Sequence, residues 1–295
     1  MNEHDWLAER FEEHRTRLRA VAYRMLGSVS DADDAVQEAW LRLSRSDTSG
    51  VDNLGGWLIT VVARVCLNML GSRRSRREEP LDAHLPDPVV SCADGLDPED
   101  EALVADSIGL ALLVVLQTLA PAERLAFVLH DMFDVPFDEI APIVGRSPAA
   151  ARQLASRARR RVKGAVPVPD TDLARQREVV DAFLAAARDG EFDALLAALD
   201  PEVVLRADRG AVPPGGSIVI RGARSVAEQA LYFGSRLGPF ARPALVNGAA
   251  GIVAAPDGRP VSVLGFTVTR GKIVEIDILA DPERLRRLDL TVLED

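Results

Sequence analysis

The sequence predicts a multidomain chain, with two all-α blocks followed by an α+β domain. Three observations carry this. Apolar residues recur at helical spacing through residues 6–70 and again from about 99 to 164. Between these blocks lies "EEPLDAHLPDPVVSCADGLDPEDE", where prolines and acids break the period and predict an extended linker from about residue 78. Beyond a second hinge, "AVPVPDT" at 165–171, one helical stretch gives way to short apolar runs bounded by turn residues, an α+β signature. A length of 295 residues suits two or three domains, and 47% hydrophobic content suffices for packed cores.

In the first helix Phe11, Leu18, Val21, Ala22, Met25 and Leu26 form one stripe. "SVSDADDAVQEAWLRL" comes next, with Ser30 as its expected cap. Asp31, Asp33 and Asp34 fill its first turn, where carboxylates suit the positive end of the helix dipole. Its Val36, Ala39, Trp40 and Leu43 share a face, leaving Asp34, Gln37, Glu38 and Leu41 on or near the other. In "GWLITVVARVCLNML" the core stripe is Leu58, Val61, Val62, Val65 and Met69. Trp57, Thr60, Arg64 and Asn68 keep the same period on the opposite side. The second block contains "LALLVVLQTLAPAERLAFVLHDMF", "VPFDEIAPIVG" and a basic segment. After the hinge, "DLARQREVVDAFLAAARDGEFDALLAAL" is helical. Strands are expected in "EVVLRAD", "GSIVIRG", "ARPALVNG", "GIVAAPDG", "PVSVLGFTVTRG" and "KIVEIDILA", with a helix inserted from Ala223 to Arg236. "PDGRP" and "TRGK" read as hairpin turns.

Charge is sorted along the chain. The net charge is −10, yet "RRSRR" at 73–77 holds four arginines, and residues 80–108 hold eight acids with no Lys or Arg. "GRSPAAARQLASRARRRVKG" at 145–164 then carries seven basic residues and no acid. No uninterrupted apolar run reaches the roughly 18–20 residues that span a bilayer. The N-terminal "MNEHDWLAERFEEHR" has no apolar core, so neither a membrane span nor a secretory signal is expected. Cys66 and Cys92 lack a His pair at metal spacing and read as reduced thiols, so no metal or cofactor is expected.

The basic segment fits a helix, turn and helix. Gly145 closes the first helix, Ser147 caps the second, and Pro148 takes its first position. Ala151, Leu154, Ala155, Ala158 and Val162 then face inward. Arg152, Gln153, Ser156, Arg157 and Arg160 face outward, where they can donate to phosphates and base edges of a major groove. A merely solvated basic helix end, or a calmodulin-like target, is the alternative. Pro142 predicts a short or bent first helix.

"DADDAVQEAWLRL", "GWLITVVARVCLNML" with "RRSRREEP", and the helix-turn-helix in that order resemble the extracytoplasmic-function (ECF) sigma factors of bacterial RNA polymerase, over residues 1–165. The resemblance implies a region 2 helical bundle at 1–77, an acidic linker at 78–107 and a region 4 helix-turn-helix at 108–166. It implies that Asp31, Asp34, Gln37, Glu38 and Leu41 dock on core polymerase (its beta and beta-prime subunits). Asn53, Trp57, Arg64, Asn68, Arg73, Arg74 and Arg76 would hold the melted −10 element, where unstacked bases need a basic groove and pockets. Ser147, Arg152, Gln153, Ser156, Arg157 and Arg160 would read the −35 element. Trp57 reads equally as a core residue, and Gly71 stands where the family often has Arg or Lys. In the family the linker threads channels that otherwise hold nucleic acid, so its carboxylates would mimic a phosphate chain; a solvated linker is the alternative.

Residues 170–295 resemble the SnoaL-like cone fold, which places the chain near the sigma factors with such a domain fused as a regulatory unit. "LPDP" (85–88) is similar to a Leu-Pro-Glu-Pro piece of that subgroup's linker, with His84 where Trp is usual. "DPERL" (281–285) is similar to its Asn-Pro-x-Lys-Leu motif, and "ADRGAVPPGG" (207–216) matches in part a Gly-rich Asp-Gly-Gly-Gly loop. Leu85, Pro86, Asp208, Asp281, Pro282 and Leu285 thereby become candidates for a regulatory interdomain contact. Residues 170–295 contain no His, Cys or Trp. Arg206, Asp208 and Asp277 could line a cavity mouth, or form a surface pair, but no acid–base constellation is legible. The expected function is thus a non-enzymatic sigma factor, cytoplasmic and monomeric when free, that directs core polymerase to promoters and is regulated in cis, with room in its cone for a small-molecule ligand. Two rivals stay open. One is a ligand-responsive DNA-binding regulator that never touches polymerase; the other is a SnoaL-like enzyme fused to a DNA-binding module.

Overall fold

The computed structural model describes residues 3–46, 53–75, 85–92, 109–210, 216–288 and 290. The side chains of Arg73 and Arg74, all of Arg76, and every linker acid except Asp87 lie outside the described residues, as does 211–215 of the Gly-rich loop position. The chain divides into two compact units, residues 1–80 with 115–165, and residues 81–114 with 166–295. Each is built differently.

The first unit is helical. Helices α1 (Glu3–Leu26), α2 (Val29–Leu43) and α3 (Leu54–Ser75) pack mutually. The expected stripes meet in its core: Leu18, Val21, Ala22 and Met25 of α1, Val36, Ala39 and Leu43 of α2, and Leu58, Val62 and Val65 of α3 are buried. Met69 is only half-buried, because α3 outruns its partners. The cap of α2 is Ser28 rather than Ser30: the Ser28 hydroxyl accepts from Asp31 N at 3.4 Å, and the helix begins one residue before Ser30. By composition α3 is apolar enough to cross a bilayer, with mean hydropathy 1.5 over Leu54–Ser72. Its apolar side nevertheless lies against α1 and α2, and Arg64 and Asn68 are exposed in mid-helix.

The same unit continues through the end of α4 (Leu110–Thr118), α5 (Pro121–Phe127), a π turn (Val128–Met132), α6 (Phe137–Val144) and α7 (Pro148–Ala165). Arg124, 5% exposed, joins the two helical blocks. Its Nη1 donates to Met25 O at 2.6 Å and its Nη2 to Gln117 O at 2.8 Å, satisfying carbonyls that helix ends leave open. Arg24 lies over the Phe133 ring at 5.0 Å, and Arg17 donates to Phe133 O at 2.9 Å.

The second unit is α+β. Helices α8 (Leu173–Asp189) and α9 (Phe192–Ala198) precede strands β2 (Leu199–Asp208) and β3 (Ser217–Arg221). Then come α10 (Ala223–Leu237), β4 (Ala241–Val246), β5 (Ala249–Ala254), β6 (Ser262–Thr269), β7 (Lys272–Leu279) and α11 (Pro282–Leu285). All six expected strands and the inserted helix form. Among the described residues the sheet has seven strands, because Val90–Cys92 of the linker adds β1 at one edge, giving the order β1-β4-β5-β6-β7-β2-β3. Of these pairings only β2 with β7 is parallel. Register shifts between Leu199 and Val204, and between Thr267 and Val268, mark irregularities of the kind that curve a sheet.

"TRGK" is a two-residue hairpin link: Arg270 and Gly271 both have positive φ, as a type I′ turn requires. "PDGRP" lies in a wider connection around a short 3₁₀ turn, Pro256–Gly258. Inside the cone, Val180 and Phe183 of α8 and Val226 and Ala227 of α10 pack on Leu205, Ile252, Phe266 and Ile276. Gly234 allows the two helices to touch, since a Cβ there would stand 2.4 Å from Ala187 O. The hinge ends earlier than its sequence suggests. Asp170 accepts from Arg270 N and Gly271 N at 2.8 Å each, and Thr269 donates to Val168 O, tying Val168–Asp170 to the β6–β7 turn.

Candidate nucleic-acid interface and linker clamp

Helix α2 turns Asp34, Gln37 and Leu41 to solvent, Leu41 at 38% exposure, with Asp31 and Glu38 half-buried beside them. Glu38 is held by Arg42 at 2.8 Å, while Asp33, which faces α1, is held by Arg19 at 2.7 Å. The residue types on this face explain its exposure: every apolar side chain of the helix except Leu41 is drawn inward by α1 and α3. An exposed leucine among acids and amides is what a partner surface needs, an apolar contact ringed by polar groups.

On α3, Arg64 and Asn68 are exposed and Trp57 is half-buried. Asn53 has another task. Its Oδ1 accepts from Gly56 N at 2.9 Å, so the side chain caps α3. We expect Asn53→Ala to lower the unfolding free energy by about 1 kcal/mol in urea titration, while Asn53→Asp, which keeps the acceptor, holds it.

The helix-turn-helix closes as its residues demand. Gly145 adopts φ 64°, a left-handed conformation that ends α6. Ser147 Oγ accepts from Ala150 N at 3.3 Å, and Pro148 opens α7. Ala151, Ala155 and Ala158 are fully buried, which lets α7 approach its neighbours closely; Leu154 and Val162 are half-buried. Ser147, Arg152, Gln153, Ser156, Arg157 and Arg160 are all exposed. They are not equivalent. Arg152 lies 5.2 Å over the Phe137 ring, which fixes its direction while leaving its donors open. Arg157 is paired with Glu123 at 2.8 Å, and Arg159 with Asp131 at 2.7 Å.

In the second unit the linker is clamped. Arg284, 11% exposed, donates from Nε to Asp87 at 2.7 Å, from Nη1 to Asp208 at 2.7 Å and from Nη2 to Leu85 O at 2.6 Å. Asp208 also accepts from Leu85 N at 3.3 Å and Gly210 N at 3.0 Å. Asp281 caps α11 by accepting from Glu283 N at 2.8 Å, Pro282 takes the first helical position, and Leu285 is buried. Together these aim Arg284 at the linker. Leu85 and Pro86 are buried, and further on Val89 and Asn247 exchange hydrogen bonds, at 2.8 and 3.2 Å, before β1 pairs with β4. Sequence reasoning named Leu85, Pro86, Asp208, Asp281, Pro282 and Leu285 but missed Arg284, Asp87 and Asn247. The signal was there for two of them: Arg284 stands at the Lys of Asn-Pro-x-Lys-Leu, and Asp87 at the Glu of Leu-Pro-Glu-Pro.

Arg206, Asp208 and Asp277 do not line the cavity mouth, nor do they form a surface pair. Leu205, Ala207, Ile276 and Ile278 face the cavity, so strand alternation puts Arg206, Asp208 and Asp277 on the opposite face. There Arg206 bridges Glu275 at 2.8 Å and Asp277 at 3.1 Å. Burial pushes the Asp277 carboxyl up to about 6, against the pull of Arg206. The unfolded group titrates near 3.8, so the folded state holds its proton more tightly, and stability from this group is lost as pH rises from about 4 to about 6. Asp277→Asn removes that loss: urea titrations should show the variant more stable than the parent at pH 7, on the order of 3 kcal/mol, and the two alike below pH 4.

The cone encloses a cavity of about 410 Å³ with predominantly apolar walls, its polar lining side chains being Arg209, Gln229 and Ser262.

Models of sigma-70 region 2 and sigma-70 region 4 match residues 10–76 and 109–162, the helical bundle and the helix-turn-helix just described. These define a sigma-70-type transcription factor. The probable ECF RNA polymerase sigma factor SigI of Mycobacterium tuberculosis (strain ATCC 25618 / H37Rv) is 35% identical over 97% of this chain and 97% of its own length. The ECF RNA polymerase sigma factor SigJ of the same strain is 40% identical over 93% of this chain and 91% of its own length. The crystal structure of the Mycobacterium tuberculosis ECF sigma factor SigJ superposes with a TM-score of 0.77 at 38% identity, covering 94% of this chain and 97% of that one. The chain belongs to the extracytoplasmic-function family of RNA polymerase sigma factors, in a form that carries a C-terminal α+β domain.

Proposed function

We propose that this sigma factor controls its own access to polymerase by holding its linker on the C-terminal sheet. The observation that carries the reading is the clamp: Leu85–Cys92 is fixed by Arg284, Asp208 and Asn247 and pairs as an edge strand. In that position it cannot thread a polymerase channel. Core polymerase and the sheet therefore compete for one segment, and release of the strand sets the active fraction. Asp31, Asp34, Gln37, Glu38 and Leu41 dock on the beta-prime clamp, with beta contacting the remainder. Trp57, Arg64, Asn68 and the Arg73, Arg74, Arg76 cluster take the opened −10 strand. Arg152, Gln153, Ser156 and Arg160 read the −35 major groove, with Ser147 near the phosphates. Elements about 25 base pairs apart lie roughly 85 Å apart at 3.4 Å per base pair, so the contacts of Arg124, Arg24 and Arg17 between the two helical blocks must part on the promoter. The protein does this in the cytoplasm as a monomer and performs no reaction itself.

Affinity capture with core polymerase tests the docking face. The full chain should bind, and the combined Asp34→Ala, Gln37→Ala and Leu41→Ala variant should bind at least tenfold more weakly. A full chain that ignores core polymerase yet binds promoter DNA alone would restore the polymerase-independent regulator.

A further inference from the structure

We infer that the C-terminal cone is a binding site for a monoanionic amphiphile, an aliphatic carboxylate whose chain fills the cavity and whose head pairs with Arg209. The inference concerns the second unit alone and stands independently of the linker mechanism.

The cavity has the size of small-molecule pockets, about 410 Å³, and walls such as Phe183, Leu205, Ile218 and Ile276. Burying an alkyl chain there removes apolar surface from water on both sides. Polarity is confined to three side chains, and among the described residues none of the three has a hydrogen-bond or ion-pair partner. Arg209 is half-buried, with the Phe233 ring 6.0 Å from its guanidinium.

Strand alternation explains why this cation is left open. Leu205, Ala207 and Arg209 continue one row into the cavity, while Asp208 beside it points to the other face and is already taken by Arg284 and the backbone of Leu85. A guanidinium drawn partly out of water against apolar walls lacks the acceptors it would have in solvent. A carboxylate matches its fork with two parallel N–H···O bonds, which a neutral head cannot do. The Gln229 amide and the Ser262 hydroxyl are the other polar side chains of the lining and can donate within it. Among the described residues the lining holds a single cation and no acid, so the site selects one negative charge.

The test is calorimetric titration of the full chain with dodecanoate, dodecan-1-ol and acetate. Dodecanoate should bind at least tenfold more tightly than the alcohol, and acetate should not bind. Arg209→Gln should erase that preference while alcohol binding persists, which shows the cavity intact. Ala207→Trp, with near-ultraviolet dichroism unchanged, should abolish binding of both. Equal affinity for acid and alcohol, binding of acetate as tight as dodecanoate, or no binding of dodecanoate by the folded full chain would each overturn the inference.

Discussion

Replacing Arg284 with Gln should raise promoter-dependent transcription at limiting sigma factor by at least tenfold. The guanidinium is shared by Asp87, Asp208 and the Leu85 carbonyl, and Asp208 is only 3% exposed. Without Arg284 the Asp87 and Asp208 carboxylates lose the guanidinium they share, and breaking a buried pair in this way costs about 3–5 kcal/mol. The linker then leaves the sheet more readily, and the fraction competent to bind polymerase rises until it saturates. Arg284→Lys keeps the charge but loses the fork, so it should fall between the two. Single-round transcription against sigma concentration gives the number. Unchanged or reduced activity in a folded Arg284→Gln protein would remove the competition mechanism.

The second large effect belongs to the helix-turn-helix, where the structure ranks residues that look alike in sequence. Arg152→Ala should weaken binding at the −35 element by about 1–3 kcal/mol and relax specificity at one base pair. Arg160→Ala should weaken all sequences alike and lower the salt slope by about 1. Arg157→Ala should do little, because Glu123 already neutralises that guanidinium. Glu123→Gln should then strengthen binding, by freeing Arg157 and Arg161 together. Electrophoretic mobility shifts across a salt series, with the −35 element varied base by base, distinguish these outcomes. Equal losses at Arg152 and Arg157 would contradict the ranking.

Much of this molecule was legible before its coordinates. The apolar stripes of α1 to α3 and the Gly145–Ser147–Pro148 turn are local signals, and local signals decide local structure. The six strands of the cone were likewise announced by their turns. Most of what was missed was non-local, though the caps at Ser28 and Asn53 were local misses: Asn53 caps α3 through Gly56 N. Arg206 and Asp277 look like a cavity mouth until the register with β7 shows which face they occupy. The strand at Val90–Cys92 could not be read from a stretch full of prolines and acids, since its pairing partner lies more than 150 residues away. Arg157, though exposed, pairs with Glu123, 34 residues upstream. In each case the residue type was seen and its partner was not.

The central claim is that this chain gives core polymerase its promoter choice. Run-off transcription on a promoter selected in the cell tests it most directly, comparing core polymerase alone, with the full chain, and with the Asp34→Ala, Gln37→Ala, Leu41→Ala variant. The account predicts a product of defined start only with the full chain, and at least tenfold less with the variant. The absence of any promoter-dependent product, while the free chain binds the same DNA without polymerase, would contradict it.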